Sequence, residues 1–242
     1  MVTETPRVVA VVQARMGSTR LPGKSLTDLG GKSVLARCVD RLRPCVGIDA
    51  IIVATSTRAV DDAIETECRA IGVGYFRGSE DDVLQRLCQA ARSAGGAVMV
   101  RVCGEDTLLD PGMIDAGIRV HLESDADLTT NVPLTGFPDD WPYVDGFDVE
   151  VVSVETLERV AGRDLEIPDR EHVTRYLRHH PEEFHIVELP RDPDFRLLPP
   201  RSFAVDGPED LAFMRLVYQT YRDAAFIDAR DVVQRVREGG LA

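Results

Sequence analysis

The sequence has no long hydrophobic run among its 242 residues. A membrane-spanning helix needs roughly 18 consecutive apolar residues, and no stretch of this chain approaches that length. The first six residues are largely polar and the first apolar run, at 8–12, has only five residues, which is too short for a signal peptide. We therefore expect no membrane association and a cytoplasmic protein.

Cysteine and histidine are both scarce, with five residues of each type. The cysteines are odd in number and form no C-x-x-C pair, which favours reduced thiols in the core of a cytoplasmic protein. The histidines show no metal-binding spacing. A net charge of −13 argues against a broad nucleic-acid-binding surface, so we expect no nucleic-acid partner.

One segment lacks negative charge although the chain as a whole is acidic. At the average density of 41 acidic residues in 242, a window of 23 residues holds about four, yet residues 5–27 contain none. The same window contains the cations Arg7, Arg15, Arg20 and Lys24. This local excess of positive charge indicates a binding site for an anion.

The cations belong to a loop that follows the first apolar run. Residues 8–12 are short, mostly β-branched and unalternating, which is typical of a strand buried on both faces. The loop then reads Val-Gln-Ala-Arg-Met-Gly-Ser-Thr-Arg-Leu-Pro-Gly-Lys at 12–24. Glycine lets the backbone approach a ligand, backbone N–H groups form a concave anion site, and arginine and lysine add full charges. The pattern suits a polyphosphate, and the structural alternative is a glycine-rich turn with solvated cations.

A second phosphate-binding pattern, the P-loop G-x-x-x-x-G-K-[ST], fits this loop less well. Gly17 and Gly23 are separated by five residues, one more than that motif allows, although Lys24 and Ser25 follow as it requires. A P-loop also leads directly into a helix, whereas the helical pattern here begins only near Ser33. We therefore rank the P-loop second.

Strand and helix patterns alternate along the first half of the chain. Strands are predicted at 8–12, 51–55, 73–76 and 97–102, and helices at 33–43, 61–70, 83–94 and 113–123. Such alternation with short connections predicts a parallel doubly wound sheet. Ligands bind at the carboxyl ends of the strands in these sheets, where the loops 13–24, 77–82 and 103–110 would lie. The second half predicts strands at 147–152, 184–189 and 201–205 and helices at 169–180, about 207–221 and 228–237.

Several carboxylates follow the predicted strands or lie along them. Glu105 and Asp106 follow the fourth strand, and Mg²⁺ usually takes one or two carboxylates together with substrate phosphates, so a metal site and an ordinary loop are both open. Asp110 stands immediately before a proline and fits a helix N-cap. Asp148 and Glu150 share one face of a strand, where either a solvated face or a ligand site explains them, because burying unpaired charge is costly.

Two further segments have alternative interpretations. Asp206 either caps the helix that follows it or binds a ligand. Residues 131–147 are rich in proline, glycine and aromatic residues, including Pro138 and Trp141, and predict a substrate-facing loop or lobe.

Together these segments resemble one enzyme family. The loop at 14–24 resembles that of the cytidylyltransferases that make CMP-activated acid sugars, such as CMP-Kdo synthetase and CMP-acylneuraminate synthetase. Four later segments are most similar to the spore-coat-polysaccharide cytidylyltransferase-like branch: F-R-G-S-E-D-D-V-L at 76–84, G-F-D-V-E-V at 146–151, D-R-E-H-V-T at 169–174 and V-D-G-P-E-D-L at 205–211. The resemblance spans residues 8–222, and five segments in the same order argue against chance.

The resemblance implies one nucleotide-diphospho-sugar-transferase domain over residues 1–242, Rossmann-like, with a mostly parallel sheet flanked by helices. A lobe at about 130–190 would protrude, contact the acceptor and form a homodimer. By position, it implies nucleotide binding by Ala14, Arg15, Gly17, Ser18, Arg20, Lys24 and Arg77, and Mg²⁺ binding by Glu105, Asp106 and Asp206. It implies acceptor binding by Asp148, Glu150, Arg170 and His172, and catalysis by Arg15, Lys24, Glu105 and Asp206.

The chain departs from the family pattern at the proposed metal site. Family members usually have Thr-Gly-Asp or Gln-Gly-Asp where this chain has Cys103-Gly104-Glu105, and proline where it has Thr107. The extra methylene of Glu105 would shift a carboxylate by ~1.5 Å, and misplacement of about 1 Å can cost on the order of 10²-fold in rate. Either Asp106 takes over, the metal site is re-formed, or activity is altered. The family's Gly-Leu-Asp is also Gly-Phe-Asp here, at 146–148.

The implied reaction is attack of an acceptor hydroxyl on the α-phosphorus of CTP, with Mg²⁺ as cofactor. CMP would pass to an acidic sugar or related small molecule and pyrophosphate would leave, in surface-polysaccharide or sugar-derivative biosynthesis. Two alternatives stay open. The chain could be a nucleotide-binding protein that has lost catalysis, or a glycosyltransferase of the same fold that uses a nucleotide sugar.

Overall fold

One seven-stranded sheet organises the chain, with the strand order β3-β2-β1-β4-β6-β5-β7. The computed structural model describes residues 5–134, 142–198 and 200–241. Its strands are β1 (Val8–Gln13), β2 (Ala50–Ser56), β3 (Gly74–Gly78), β4 (Val98–Cys103), β5 (Leu128–Thr130), β6 (Glu150–Ser153) and β7 (Ile186–Glu188). Its helices are α1 (Val34–Leu42), α2 (Asp62–Ala70), α3 (Val83–Ser93), α4 (Pro111–Ser124), α5 (Val154–Ala161), α6 (Ile167–Glu171), α7 (Arg175–His179), α8 (Pro208–Thr220) and α9 (Ala229–Arg237).

The sheet is mostly parallel, as the sequence predicted. β1 lies between β2 and β4 and is parallel to both, and β3 extends the parallel set on the other side of β2. β6 runs antiparallel to its neighbours β4 and β5, and β7 is parallel to β5. Because β1 and β4 end side by side, the loops that follow them open at the same edge of the sheet.

The residues of β1 alternate between two apolar layers. Val8, Ala10 and Val12 pack into one layer, to which α1 and α4 contribute. Val9 and Val11 pack into the opposite layer with α3 and α5. This arrangement confirms that the unalternating apolar run is a strand covered on both faces.

A third apolar cluster lies beneath α8 and α9 and includes Phe147, Phe195, Phe203 and Phe213. The rings of Phe203 and Phe213 meet edge to face at 5.3 Å between centroids. This cluster holds the segment just before α8 against the loop that follows β4. The bridge between Ala204 and Asp106 joins the same segment to the same loop. It therefore brings the C-terminal part of the chain to the carboxyl end of the sheet.

Two predicted helix starts are confirmed by their caps. The hydroxyl of Ser33 accepts a hydrogen bond from the amide of Ala36 (2.9 Å) at the start of α1. The carboxylate of Asp110 accepts one from the amide of Met113 (2.8 Å) at the start of α4. The first loop leads only into a three-residue 3-10 helix at Lys24–Leu26, and α1 begins ten residues after Lys24. The loop therefore does not open directly into an α-helix, which argues against the P-loop.

The predicted helix over 169–180 is wrong, because two short helices, α6 and α7, take its place. Between them the chain turns inward, and Val173 and Thr174 become almost fully buried. The hydroxyl of Thr174 donates to the carboxylate of Glu150, and this buried contact outweighs the continuation of the helix.

The predicted strand at 201–205 is also wrong. Only isolated bridges form there, from Ser202 to Asp145 and from Ala204 to Asp106. The hydroxyl of Ser202 donates to Asp145 Oδ2 (3.0 Å). This is a hydrogen bond between side chains, whereas the strands of a regular sheet are joined by backbone hydrogen bonds. The three-residue strand β5 was not predicted, because so short a run carries no measurable alternation.

The predicted strand at 147–152 begins later, at Glu150. Asn131 occupies the place of a neighbouring strand before that point, since its side chain bonds to the carbonyl of Phe147 (3.0 Å) and the amide of Val149 (2.8 Å). Residues 135–141 of the predicted substrate-facing loop, with Pro138 and Trp141, lie outside the described residues. No helix in the described ranges combines the length and apolar character needed to cross a membrane.

Candidate active site

The first loop, residues 14–24, turns back on itself at the carboxyl end of β1. The carbonyl of Met16 accepts hydrogen bonds from the amides of Ser18 and Gly23, each at 3.0 Å. Gly23 has a φ of 75°, in the region that favours glycine. The amide of Met16 donates to the carboxylate of Asp61 (2.7 Å), which ties the loop to the segment after β2.

Four amides of this loop have no hydrogen-bond acceptor in the part of the chain that the structure describes. They belong to Arg15, Gly17, Thr19 and Arg20. A Cβ added to Gly17 would meet only Glu80 Oε1, at an ordinary 3.7 Å, so packing within the chain does not require glycine there. The loop therefore presents unused N–H groups beside cations, as an anion site requires.

Lys24 lies between two carboxylates that are distant in sequence. Its Nζ is 2.8 Å from Asp206 Oδ1 and 3.4 Å from Glu105 Oε1, and its side chain is only 12% exposed. Arg20 Nη2 is 2.9 Å from the same Asp206 oxygen. Burial disfavours the charged ammonium, but the charges of Glu105 and Asp206 outweigh that effect and raise the pKa of Lys24.

Asp206 is free to make these contacts because it does not cap α8. Gly207 is the N-cap residue, and Asp210 Oδ2 accepts the amides of Asp206 (3.2 Å) and Gly207 (2.7 Å). The interpretation of Asp206 as a helix cap is therefore wrong, and its carboxylate turns toward the first loop.

The first loop lines a cavity of about 410 Å³ at the carboxyl edge of the sheet. Glu171 and His172, from the end of α6, line the same cavity, and Arg15 Nη2 lies 3.9 Å from Glu171. Of the predicted site residues, the cavity brings together Ala14, Arg15, Gly17, Ser18, Arg20, Lys24, Glu105, His172 and Asp206.

A smaller cavity of about 140 Å³ adjoins the first and shares Glu105 and Asp206 with it. It is also lined by Asp106, Asp148 and Glu150, which are predicted site residues, and by Asp145. Burial and then the charges of Glu150 and Asp145 raise the pKa of Asp148 to about 7. Burial and then Glu105 raise the pKa of Asp106 well above its ordinary value. So many carboxylates in a small, poorly hydrated space favour a cation.

Two arginines at the site were missed in the sequence. Arg101, on β4, lines both cavities, and its Nη1 donates to Glu150 (2.8 Å) while its buried Nε has no acceptor. Arg86, on α3, is 3% exposed and lines the larger cavity. Burial and then the charge of Arg15 lower the pKa of Arg86. The available signal was a cation inside an apolar pattern, at Arg101 in a strand and at Arg86 on a buried helix face.

Arg77 and Arg170 are not brought to the cavities. Arg77 Nη1 lies 2.6 Å from Asp62 and 3.3 Å from Glu65, and its other nitrogens donate to backbone carbonyls. Arg170 Nη1 lies 2.7 Å from Asp82. Because these carboxylates hold both guanidinium groups elsewhere, we do not include Arg77 among the nucleotide contacts or Arg170 among the acceptor contacts.

Glycine is required where β1 and β4 end side by side. A Cβ on Gly104 would lie 2.8 Å from the carbonyl oxygen of Gln13, closer than real Cβ contacts. The amide of Gly104 donates to that same carbonyl (2.9 Å). Gly104 thus sets the position from which Glu105 reaches Lys24.

The residues were tested for a divalent metal. Within the described ranges, no group of three His, Cys, Asp or Glu side chains is arranged to hold a metal ion. Glu105 and Asp206 nevertheless approach one cation, the Nζ of Lys24, from both sides. Mg²⁺ commonly takes one or two carboxylates and completes its coordination with water and substrate phosphates, so this pair fits Mg²⁺ that arrives with a nucleotide.

Comparisons with known proteins identify the family of this chain. Residues 9–232 match the cytidylyltransferase family model. The spore coat polysaccharide biosynthesis protein SpsF of Bacillus subtilis is 32% identical over 233 residues, which cover 93% of this chain and 92% of that protein. A cytidylyltransferase structure from Leptospira borgpetersenii has a TM-score of 0.84 and 25% identity, and covers 97% of this chain and 95% of its own. The fold is shared with a CMP:2-keto-3-deoxy-manno-octonic acid synthetase complexed with CTP, at a TM-score of 0.66, 16% identity, and 88% and 99% coverage. The chain therefore belongs to the cytidylyltransferase family.

Proposed function

We propose that this cytidylyltransferase transfers CMP from CTP to a hydroxyl of an acidic sugar or related small acceptor and releases pyrophosphate. One observation carries the proposal. The cationic loop 14–24, with four amides that have no acceptor among the described residues, lines one cavity together with the carboxylates of Glu105 and Asp206, and its Lys24 contacts both. Anion donors and carboxylates in one cavity are what a nucleoside triphosphate with Mg²⁺ requires.

The first loop would bind the triphosphate. Arg15, Arg20 and Lys24 supply positive charge, and the loop amides donate hydrogen bonds to phosphate oxygens. Their main effect is on the leaving pyrophosphate, because preorganised donors stabilise charge as it develops in the transition state. Arg86, which lines the same cavity, would add a further guanidinium.

Glu105 and Asp206 would hold Mg²⁺, with Asp106 close behind Glu105 in the smaller cavity. When bound, Mg²⁺ neutralises phosphate charge and lowers the pKa of the attacking hydroxyl. Asp206 now pairs with Lys24 and Arg20, so nucleotide binding would exchange these ion pairs for contacts to phosphate. The protein thereby positions the reactants and compensates their charge, and it needs no protein nucleophile.

The smaller cavity would hold the acceptor, with Asp148 and Glu150 accepting hydrogen bonds from its hydroxyl groups. Arg101 is the one cationic side chain among the described residues that line this cavity. Its Nε hydrogen has no acceptor, which suits the carboxylate of an acid sugar. The relative in Bacillus subtilis is named for spore coat polysaccharide biosynthesis, and we extend that role in surface-polysaccharide or sugar-derivative synthesis to this chain.

The proposal includes one nucleotidyltransferase domain over residues 1–242 and a homodimer formed through a lobe at about 130–190. It also places the protein in the cytoplasm. Size-exclusion chromatography with light scattering tests the dimer, and deletion of residues 135–141 should yield a monomer. A dimer that survives this deletion would argue against the lobe as the interface.

The reaction is tested by incubating the enzyme and Mg²⁺ with each nucleoside triphosphate and a panel of acid sugars. We expect pyrophosphate release only with CTP and at least one acid sugar. A neutral sugar of the same ring size is the matched acceptor control, and Arg92→Gln, which breaks an ion pair to Glu158 remote from the cavity, is the protein control. Absence of pyrophosphate release with every pair would contradict the proposal.

One observation favours a second candidate, a nucleotide-binding protein that has lost catalysis. Glu105 stands where the family usually has aspartate, and its carboxylate contacts Lys24. Calorimetry separates the two functions. CTP binding that is independent of Mg²⁺, together with no turnover, would favour the second candidate.

A further inference from the structure

Another cavity, of about 550 Å³, lies between α1, α8 and the segment 221–227. It shares no lining residue with the two cavities of the candidate active site. Five of its lining side chains are cationic and two are acidic, an excess of three positive charges in a chain of net charge −13. The cations are Lys32, Arg37, Arg41, Arg215 and Arg222.

Three of these arginines are neutralised by no carboxylate within salt-bridge distance in the described part of the chain. Arg37 Nε donates to the carbonyl of Leu29 (2.9 Å), and Arg215 donates twice to the carbonyl of Asp28 (3.3 and 3.2 Å). Arg41 Nε donates to the carbonyl of Leu109 (2.7 Å), and Arg41 Nη1 donates to the carbonyl of Ile227 (2.8 Å). Backbone carbonyls orient the three guanidinium groups without a carboxylate in contact with them, although the charges of Asp110 and Asp228 act on Arg41 from a greater distance.

Arg41 gives the strongest sign of a missing partner. Arg41 is only 4% exposed, and its buried Nη2 has no hydrogen-bond acceptor among the described residues. Burial lowers the pKa of Arg41, because the charged form has lost its hydration. A buried donor without an acceptor is costly, and an anionic ligand beside it would remove that cost.

Aromatic rings accompany two of the guanidinium groups. Arg41 Cζ lies 3.8 Å from the ring centroid of Phe226, a side chain that is 48% exposed, and Arg37 Cζ lies 4.3 Å from that of Tyr218. Stacking on aromatic faces restrains an arginine while its edge stays available for hydrogen bonds. An exposed ring at the rim also offers an apolar surface to an organic ligand.

We propose that this cavity is a second ligand site, which binds a small phosphorylated molecule separately from the nucleotide site. Phosphate is favoured because its several oxygens can accept charge-assisted hydrogen bonds from more than one guanidinium group at once, including Arg41 Nη2. The cavity is larger than the 410 Å³ space lined by the first loop, so a nucleotide-sized ligand is within its range.

The site also touches the loop that carries Glu105. The hydroxyl of Tyr218 donates to the carbonyl of Thr107 (2.7 Å), and Arg41 Nε donates to that of Leu109. A ligand that contacts Arg41 is therefore one residue away from the backbone of the 103–110 loop.

Isothermal titration calorimetry of the intact protein with CTP, and separately with inorganic pyrophosphate, tests the proposal by counting sites. We expect two sites per chain in the wild type and one in Arg37→Gln/Arg215→Gln. Affinity at the second site should fall by at least about tenfold per arginine, since a hydrogen bond to a charged group is worth a tenfold change or more. Arg119→Gln is the matched control, because Arg119 is an exposed arginine on α4 that pairs with Glu123 and does not line the cavity, and this variant should keep both sites.

A crystal soaked with pyrophosphate gives an independent measurement that does not depend on the variant folding. Phosphate density within hydrogen-bond distance of Arg41 Nη2 is the expected result. The same number of sites in the wild type and the double variant, or no phosphate density at Arg41, would overturn the proposal. Because the readout is binding, failure of the transfer reaction would not affect this outcome.

Discussion

Replacement of Lys24 by glutamine tests the centre of the proposed mechanism. Lys24 Nζ contacts both Glu105 (3.4 Å) and Asp206 (2.8 Å), and Lys24 also lines the cavity of the first loop. Glutamine is shorter than lysine by one bond and still has a hydrogen-bond donor, but it carries no charge. The variant should therefore lose stabilisation of the leaving pyrophosphate while the cavity keeps its shape.

The magnitude follows from the two roles of the residue. Loss of one preorganised donor to a developing oxyanion costs about 10²–10³-fold in kcat, so we expect kcat/KM for CTP to fall by about that factor. Breaking a buried ion pair costs about 3–5 kcal/mol. Asp206 keeps its contact to Arg20 and both carboxylates are 22% exposed, so we expect a stability loss of only about 1–2 kcal/mol.

The assay is pyrophosphate release under initial-rate conditions, with stability measured by urea unfolding of the same preparations. Arg92→Gln is the control, since it also removes one positive charge from an ion pair, the one with Glu158 (2.7 Å), but neither of these residues lines the cavity. It should retain wild-type kinetics. A Lys24→Gln enzyme within threefold of the wild-type kcat/KM would refute the assignment of the loop to the triphosphate.

Three further predictions concern the metal, the loop and a remote histidine. Asp206→Asn should raise the Mg²⁺ concentration for half-maximal activity by about tenfold or more, as expected when a charged ligand is lost. Asp110→Asn, which alters a helix cap, is the control and should leave that concentration unchanged. Equal effects of the two substitutions would count against the metal site. Gly17→Ala should raise KM for CTP but leave the melting temperature unchanged, because the new Cβ meets only Glu80 at 3.7 Å. Gly104→Ala should lower the melting temperature, because its Cβ would lie 2.8 Å from a backbone oxygen. A larger loss of melting temperature in Gly17→Ala than in Gly104→Ala would contradict this prediction. Burial lowers the pKa of His121 from 6.5 to about 4, so the unfolded chain binds more protons in that window and stability should fall as pH decreases from 6.5 toward 4. In His121→Leu, measured by urea unfolding across that range, this part of the pH dependence should disappear, and an unchanged slope would disprove the assignment.

The sequence predicted the parts of the fold that depend on local pattern. The predictions of a strand at 8–12 and of a helix capped by Ser33 were correct, because burial on both faces and side-chain capping depend on a few neighbouring residues. The helix over 169–180 and the strand at 201–205 were wrong, because contacts to Glu150 and Asp145 decide the conformation there. Those partners lie 24 and 57 residues away, beyond any local pattern.

The site shows the same division. The loop 14–24 could be recognised because glycines, cations and the absence of acids are all close in sequence. Arg77 was expected at the nucleotide because the segment 76–84 resembles that of the family, but in the structure Asp62 and Glu65 on α2 pair with it. Arg86 and Arg101 were missed because their sequence neighbours are apolar and their cavity forms only after folding.

The sequence by itself determined that an acidic chain keeps one cationic, glycine-containing loop after a buried strand. That pattern predicted a phosphate-binding site at the loop. Only the tertiary structure decided which acids face that loop. Lys24 and Asp206 are 182 residues apart, and they meet because the Phe203 cluster holds the segment before α8 at the end of β4. The choice between a helix cap and a site residue at Asp206 depends on that packing, which no short stretch of sequence encodes.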